Sequence, residues 1–231
     1  MLKKFEFLDD GIDIPFYNDV PKLSTMEWLM LLFAVILMIA YITIKNLPFR
    51  ESFFPLIIFL LGVVPALYIC KGNYKLFFKM PKLKDIKIIV GCVIGNYLYT
   101  FIIVFFIVTL GIQTVAHGDS NSQITLVRAI NQFIQLWGEE FFKIFILLIV
   151  MHGVYKFSNN RNLSLMLGII VTLFIFGLIH SGTYGGKILQ VLLLQGLGSI
   201  FELYAYLETK NVVVSYLVHA LVDFIADIAS L

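Results

Sequence analysis

Seven apolar runs, each about as long as a bilayer is thick, constrain this chain more than any other feature. They occupy residues 27–44, 53–69, 86–110, 133–155, 163–179, 188–207 and 212–230. About 20 residues of helix cross a hydrocarbon core of ~30 Å. Inside lipid every backbone polar group must be satisfied by protein, which leaves helices and closed barrels as the structures able to span. Barrel strands would read as alternating segments of about ten residues, and the chain has none. With 60% apolar residues, 22 Phe and only 14% charged residues, the expectation is all-α: a polytopic integral membrane helix bundle of about seven transmembrane helices.

Turn formers and charges separate the runs, at Pro48 and at residues 71–81, 117–122, 158–162, 181–186 and 209–211. None of these linkers is long enough for a second domain. Residues 27–231 therefore read as a single membrane domain. Residues 1–26 form an acidic, aromatic segment, with Asp9, Asp10, Asp13 and Asp19 among Phe5, Phe7, Phe16 and Tyr17. It is expected to rest on the membrane surface or to pack under the helices. No basic stretch runs directly into an apolar core, so no cleavable signal peptide is expected. Between the second and third runs lie Lys71, Lys75, Lys79, Lys82, Lys84 and Lys87 against one acid, Asp85. The positive-inside rule makes that loop cytoplasmic, with the N-terminus cytoplasmic and the C-terminus outside. Cys70 and Cys92 stand apart from each other and from any His at ligand spacing, and read as apolar fillers.

Chemistry enters at Trp137-Gly138-Glu139-Glu140-Phe141-Phe142-Lys143, where two carboxylates and an ammonium sit inside the fourth run. A charge at the centre of a spanning helix costs about 2.5–3.5 kcal/mol on insertion scales, so such residues normally face a protein-lined cavity. Glu139 and Lys143 are i,i+4 with the acid N-terminal, the favourable order for an ion pair, while Glu140 points about 100° away. One acid is then paired and the other is available as a general base; a buried pair that only holds helices together is the competing account. The fifth run ends in Phe174-Ile175-Phe176-Gly177-Leu178-Ile179-His180, whose His could ligate a metal, accept a proton or orient a water, or simply sit at an interface. The seventh carries His219 and Asp223, i,i+4 on one face, where the carboxylate is expected to bond one ring nitrogen and fix the tautomer of the other. Facing helices of a bundle can converge such residues on one cavity.

The order Glu139-Glu140, then Phe176-x-x-x-His180, then His219-x-x-x-Asp223 resembles the three motifs of the CPBP intramembrane proteases, which include the CAAX prenyl endopeptidases and Abi-type bacterial relatives linked to bacteriocin processing and self-immunity. The stretch from Gln195-Gly196-Leu197-Gly198 through Leu207-Glu208-Thr209-Lys210-Asn211 to Ser215 also resembles that family's lead-in to its third motif. The likeness covers residues 133–231, with the first three helices similar only as generic spans. It departs at one point. The family's first motif continues Glu-Glu-x-x-x-Arg, whereas here Ile144 holds the Arg position and Lys143 stands one residue earlier. That displacement turns the cation toward Glu139, and a Lys cannot grip a carboxylate bidentately.

The resemblance implies an intramembrane endopeptidase in a bacterial cell membrane, cutting a peptide or a membrane-associated protein. Glu139 with His180 would activate a water, His219 and Asp223 would stabilise the oxyanion and position the peptide, and Glu140 would hold the local charges. It favours no cofactor, with zinc bound through Glu139, His180 and His219 as the alternative. The expected partners are that substrate and the lipid bilayer, with no nucleic acid. The displaced cation also fits a non-catalytic peptide-binding or immunity protein of the same fold. A transporter fits less well, since no inverted repeat is present. On the predicted helix limits Glu139 and His180 lie in the outer half of the membrane and His219 nearer its middle.

Overall fold

A computed structural model describes residues 7, 11–44, 46, 50–115 and 125–229. Pro48, the 117–122 break and the Asp9 and Asp10 positions lie outside the described residues. Among the described residues the chain forms seven helices and the turns between them. Helix α1 (Thr25–Thr43) opens on a capping box: the Glu27 amide bonds Ser24 Oγ, and the Glu27 carboxylate reaches back to the Ser24 amide at 2.6 Å. Helix α2 (Arg50–Ile69) carries Pro55 and Pro65 in its interior. Helix α3 (Leu83–Thr109) follows, then α4 (Leu126–Ser158) and α5 (Arg161–Ile179). Asn159, in the left-handed region at φ 48°, ends α4 and turns the chain sharply into α5. Helix α6 (Ile188–Thr209) is irregular, with a π-helical turn over Val191–Gly196 and a 3-10 turn over Leu197–Ser199 before regular helix resumes at Ile200. Lys210, also left-handed, leads into α7 (Val212–Ala229).

Helix α4 is the hub, packing against α1, α2, α5 and α7, while α3 closes the bundle against α6 and α7. Small residues let these helices approach closely, as membrane bundles require. A Cβ on Gly138 would stand 2.2 Å from the Ile58 carbonyl oxygen of α2, and one on Gly177 would stand 3.0 Å from the Gly196 Cα. The first contact presses α2 onto α4 one residue before Glu139. The second presses the π-helical turn of α6 onto α5 one turn before His180.

Among the described residues four segments, Thr25–Thr43, Leu83–Thr109, Arg161–Gly182 and Ile188–Thr209, are long and apolar enough to cross a membrane. On α3, Leu98, Phe101, Phe105 and Phe106 are all exposed, an apolar face of the kind lipid covers. The chain is an all-α integral membrane helix bundle. Helix α4 starts two turns upstream of the predicted residue 133, capped by Thr125. Glu139 and Lys143 consequently fall near the middle of a long helix and not in one half of a short one.

The segment before α1 packs under the helices. Ile14, Phe16, Tyr17 and Leu23 are buried, Asp13 receives two hydrogen bonds from the Arg161 guanidinium at 2.8 and 2.6 Å, and His152 Nδ1 lies 3.1 Å from the Tyr17 carbonyl. The basic loop between α2 and α3 is equally anchored. Phe77 is wholly buried between Phe16 and Phe141, and its carbonyl accepts the Val212 amide at 2.8 Å. Asn211 bonds both the amide and the carbonyl of Lys79. These contacts fix the first turn of α7, on which the site depends. Cys70 and Cys92 are buried free thiols, as expected of apolar fillers.

Candidate active site

The site lies where α4, α5, α6 and α7 meet, and its centre is Glu140. This side chain is 1% exposed. Its Oε1 accepts from Lys143 Nζ at 2.6 Å and lies 2.7 Å from His219 Nδ1. Its Oε2 accepts from the Ser215 hydroxyl, which also lies 2.9 Å from the Glu202 carbonyl oxygen. A buried carboxylate needs this many partners, because desolvating it unpaired would cost several kcal/mol. Lys143, equally buried, bonds Glu202 of α6 as well as Glu140 and stands 4.7 Å from the centroid of the Phe176 ring.

Two expected pairings are corrected here. Lys143 does not pair with Glu139; it takes Glu140, at i,i+3, and Glu202. Both spacings lie on one helix face, and the second acid on α6 draws the ammonium to the Glu140 side. The His219 tautomer is likewise set by Glu140 and not by Asp223. Asp223 Oδ2 stands 3.9 Å from Nε2, beyond hydrogen-bond length, and is itself held by Gln132 Nε2 at 3.3 Å. With Nδ1–H donated to Glu140, Nε2 is left as the accepting nitrogen of His219.

Glu139 is arranged differently from its neighbour. It accepts from Gln135 Nε2 at 2.6 Å and places Oε2 4.0 Å from His219 Nε2. Thus Nε2 looks toward two carboxylates, Glu139 at 4.0 Å and Asp223 at 3.9 Å. Neither touches it, and the gap suits a small group bonded to both sides. His180 ends α5 with Nδ1 2.7 Å from the Phe176 carbonyl, an arrangement in which Nδ1–H donates and Nε2 is left as acceptor. Its ring packs on Phe176 at 4.8 Å, and Phe176 also meets His219 edge-on at 6.4 Å. All five residues singled out from the sequence are therefore gathered at one place.

Around them the 181–186 stretch forms a turn that buries Tyr184, whose hydroxyl accepts from Gln195 Nε2 at 2.8 Å. Burial, with the charge of Asp223 added, pushes the Tyr184 phenol up to about 12, so it stays protonated at neutral pH. Sequence reasoning missed Gln132, Gln135 and Glu202. The first two sit two turns and one turn before Glu139 on the same helix. Glu202 lies inside the sixth apolar run, where the cost of intramembrane charge should have marked it as it marked Glu139 and Glu140.

Glu140, Glu202 and His219 offer ligand atoms that lie within 4.8 Å of one another. The Lys143 ammonium already bridges the two acids of that set. Of the Glu139, His180 and His219 set, Glu139 Oε2 and His219 Nε2 stand 4.0 Å apart, somewhat wider than the ~3.3 Å between ligand atoms of a tetrahedral zinc site with bonds of ~2.0 Å.

An all-helical membrane bundle enclosing a Glu–His cluster at the junction of four helices defines the class: an integral membrane protein with an internal polar site. The family model described as type II CAAX prenyl endopeptidase Rce1-like matches residues 95–225, more than half of the 231, and the chain belongs to that family of membrane proteases. The match begins inside α3, ahead of the motif-bearing stretch from residue 133, and ends at residue 225, just past Asp223. No curated protein and no solved structure matches the chain.

Proposed function

We propose that this chain is an intramembrane endopeptidase in which Glu139 is the general base and His219 the group that meets the oxygen of the scissile carbonyl. The observation that supports it is the position of His219 Nε2, with Nδ1 anchored 2.7 Å from Glu140 and Glu139 and Asp223 facing Nε2 at 4.0 and 3.9 Å. A water bonded to Glu139 is activated as it gives up its proton, and its oxygen attacks the carbonyl carbon. His219 in its doubly protonated form donates Nε2–H to the developing oxyanion while Nδ1–H remains on Glu140. Glu139 then returns the proton to the leaving amine, which balances the hydrolysis. His180 orients the water through its accepting Nε2, and Asp223 with Gln132 lines the far side of the carbonyl. Glu140 stays a charge anchor, since both its oxygens are engaged.

The reaction so written uses side chains alone and routes no step through zinc. The substrate class is a peptide or the tail of a membrane-associated protein, the family's name pointing to prenylated CAAX ends and its bacterial members to leader peptides in bacteriocin maturation or self-immunity. By the positive-inside rule the basic loop at Lys71–Lys87 supports a cytoplasmic N-terminus, and the family's bacterial members support a bacterial cell membrane. The displaced cation was the ground for a non-catalytic binding role, and the Lys143 contact with Glu140 weakens that ground.

Purified protein in nanodiscs, offered prenylated CAAX-type and leader-type peptides, tests the proposal. Wild type should cut while Glu139→Gln and His219→Ala do not, with activity unchanged by chelator. Cleavage that survives Glu139→Gln refutes the assignment, and chelator-sensitive cleavage refutes the metal-free chemistry.

A further inference from the structure

Glu202 has no part in the scheme above, yet it is buried at the site and bonded to its lysine. We propose that Glu202 and Lys143 form a strut between α6 and α4 that positions Glu140 and, through it, His219. The inference rests on the endopeptidase reading for its effect on rate but not for its geometry.

Three observations carry it. Lys143 is 1% exposed and its ammonium is shared by two carboxylates, one from its own helix and one from α6. With Glu140 alone the ammonium would simply follow α4; the second acid fixes it relative to α6. The other side of Glu140 is tied to the same residue of α6, because Ser215 reaches both Glu140 Oε2 and the Glu202 carbonyl oxygen. Both oxygens of Glu140 are thereby referred to Glu202, one through an ammonium and one through a hydroxyl. Finally, Ile144, at the position where the motif pattern has a cation, is buried among apolar side chains of the core, so Lys143 and Glu202 provide the charge pairing from a different pair of helices. The His219 ring, with Nδ1 3.8 Å from Glu202 Oε2, is the beneficiary. Its Nε2 must point at a reacting atom, and a misplacement of about 1 Å can cost on the order of 10²-fold in rate.

A pair that merely held two helices together would leave a different signature, because replacing both members of a buried ion pair with uncharged groups is often neutral for stability. The test uses the full chain in nanodiscs with Glu202→Gln, Lys143→Met, the double variant, and Glu208→Gln as a control acid on the same helix. Three quantities are read: the unfolding midpoint, kcat and KM on a peptide that wild type cuts, and the ¹⁵N signals of the His219 imidazole, identified by their loss in His219→Ala. Glu202→Gln should lower kcat about tenfold or more with KM within about twofold, and should shift the imidazole signals. The double variant should regain the midpoint lost in Lys143→Met without regaining kcat, and Glu208→Gln should match wild type. Should either single variant fail to fold, the double variant carries the same comparison. Recovery of kcat with the midpoint, or unchanged imidazole signals in Glu202→Gln, overturns the strut. If wild type cuts nothing, the endopeptidase reading falls separately, and the imidazole signals alone decide the strut.

Discussion

His219 Nδ1 lies 2.7 Å from Glu140 Oε1, and with the Ser215 hydroxyl on Oε2 this contact joins α7 to α4 at the polar centre of an otherwise apolar bundle. It divides the two adjacent acids into different tasks. Glu140 is locked by three partners, while Glu139 accepts from Gln135 and faces Nε2 of His219.

That division predicts opposite outcomes for neighbouring substitutions. Glu140→Ala leaves Lys143 and His219 without their shared partner and should destabilise by about 3–5 kcal/mol, the usual cost of breaking a buried pair. Glu139→Gln retains an oxygen that can accept from Gln135 and should cost less than about 1 kcal/mol, while abolishing cleavage. Denaturant unfolding in detergent beside a peptide assay reads both. Equal destabilisation by the two changes would contradict the division.

Ser215→Ala removes the donor to Glu140 Oε2. A hydrogen bond to a charged group contributes about 1.5–3 kcal/mol, so the variant should lose that much stability. Ser215→Thr, which keeps the hydroxyl, should lose less. A Ser215→Ala protein as stable as wild type would show that Glu140 needs no protein donor on Oε2.

Helix crossing is tested at Gly138. The Ile58 carbonyl oxygen stands 2.2 Å from where a Cβ would lie, and backbone cannot yield as a side chain does. Gly138→Ala should therefore cost at least about 1–3 kcal/mol by overpacking and disturb the adjacent Glu139. Gly153→Ala, on the same helix with nothing within 4 Å of the new methyl, should be neutral or stabilising by about 0.5–1 kcal/mol. Unfolding midpoints of the two variants should move in opposite directions.

The N-terminal segment gives a pH dependence. Burial pushes the Asp13 carboxyl up, but the Arg161 guanidinium, the Tyr17 hydroxyl and the Ile14 amide more than reverse this and hold it below its usual value. A depressed carboxyl contributes stability that is complete above the unfolded value of about 3.9 and is lost as pH falls through the folded one. Docking of residues 11–24 should therefore be unchanged from pH 7 to about 4 and loosen below that. Protease cleavage within this segment by an acid-tolerant enzyme reads the change. Asp13→Asn should be loosened already at pH 7, and a segment equally protected in that variant would remove Arg161 as its anchor.

The helices and the principal chemical residues were legible in the amino-acid order because both are local signals. Apolar runs of spanning length depend only on neighbours in the chain, and carboxylates or imidazoles inside them stand out against a cost of insertion that holds wherever the helix ends up. Glu139, Glu140, His180, His219 and Asp223 were all found this way, as was the packing of the N-terminal segment as one of two outcomes. The start of α4 was misplaced because Arg128, Asn131 and Gln132 dilute the apolar run there, while the helix itself is set by the Thr125 cap and by backbone bonding that tolerates polar side chains.

Only the tertiary structure decided the partners. Lys143 can reach a residue three or four positions back on its own helix with almost equal ease, and the choice fell to Glu140 because Glu202, on another helix, draws the ammonium to that side. In the same way Asp223 had the right spacing to bond His219, but the meeting of α7 with α4 gave Nδ1 to Glu140 first. Helical spacing fixes which residues share a face; which of them meet is settled by how the helices cross, and here the crossings are set by glycines and by a buried charge that must find a partner.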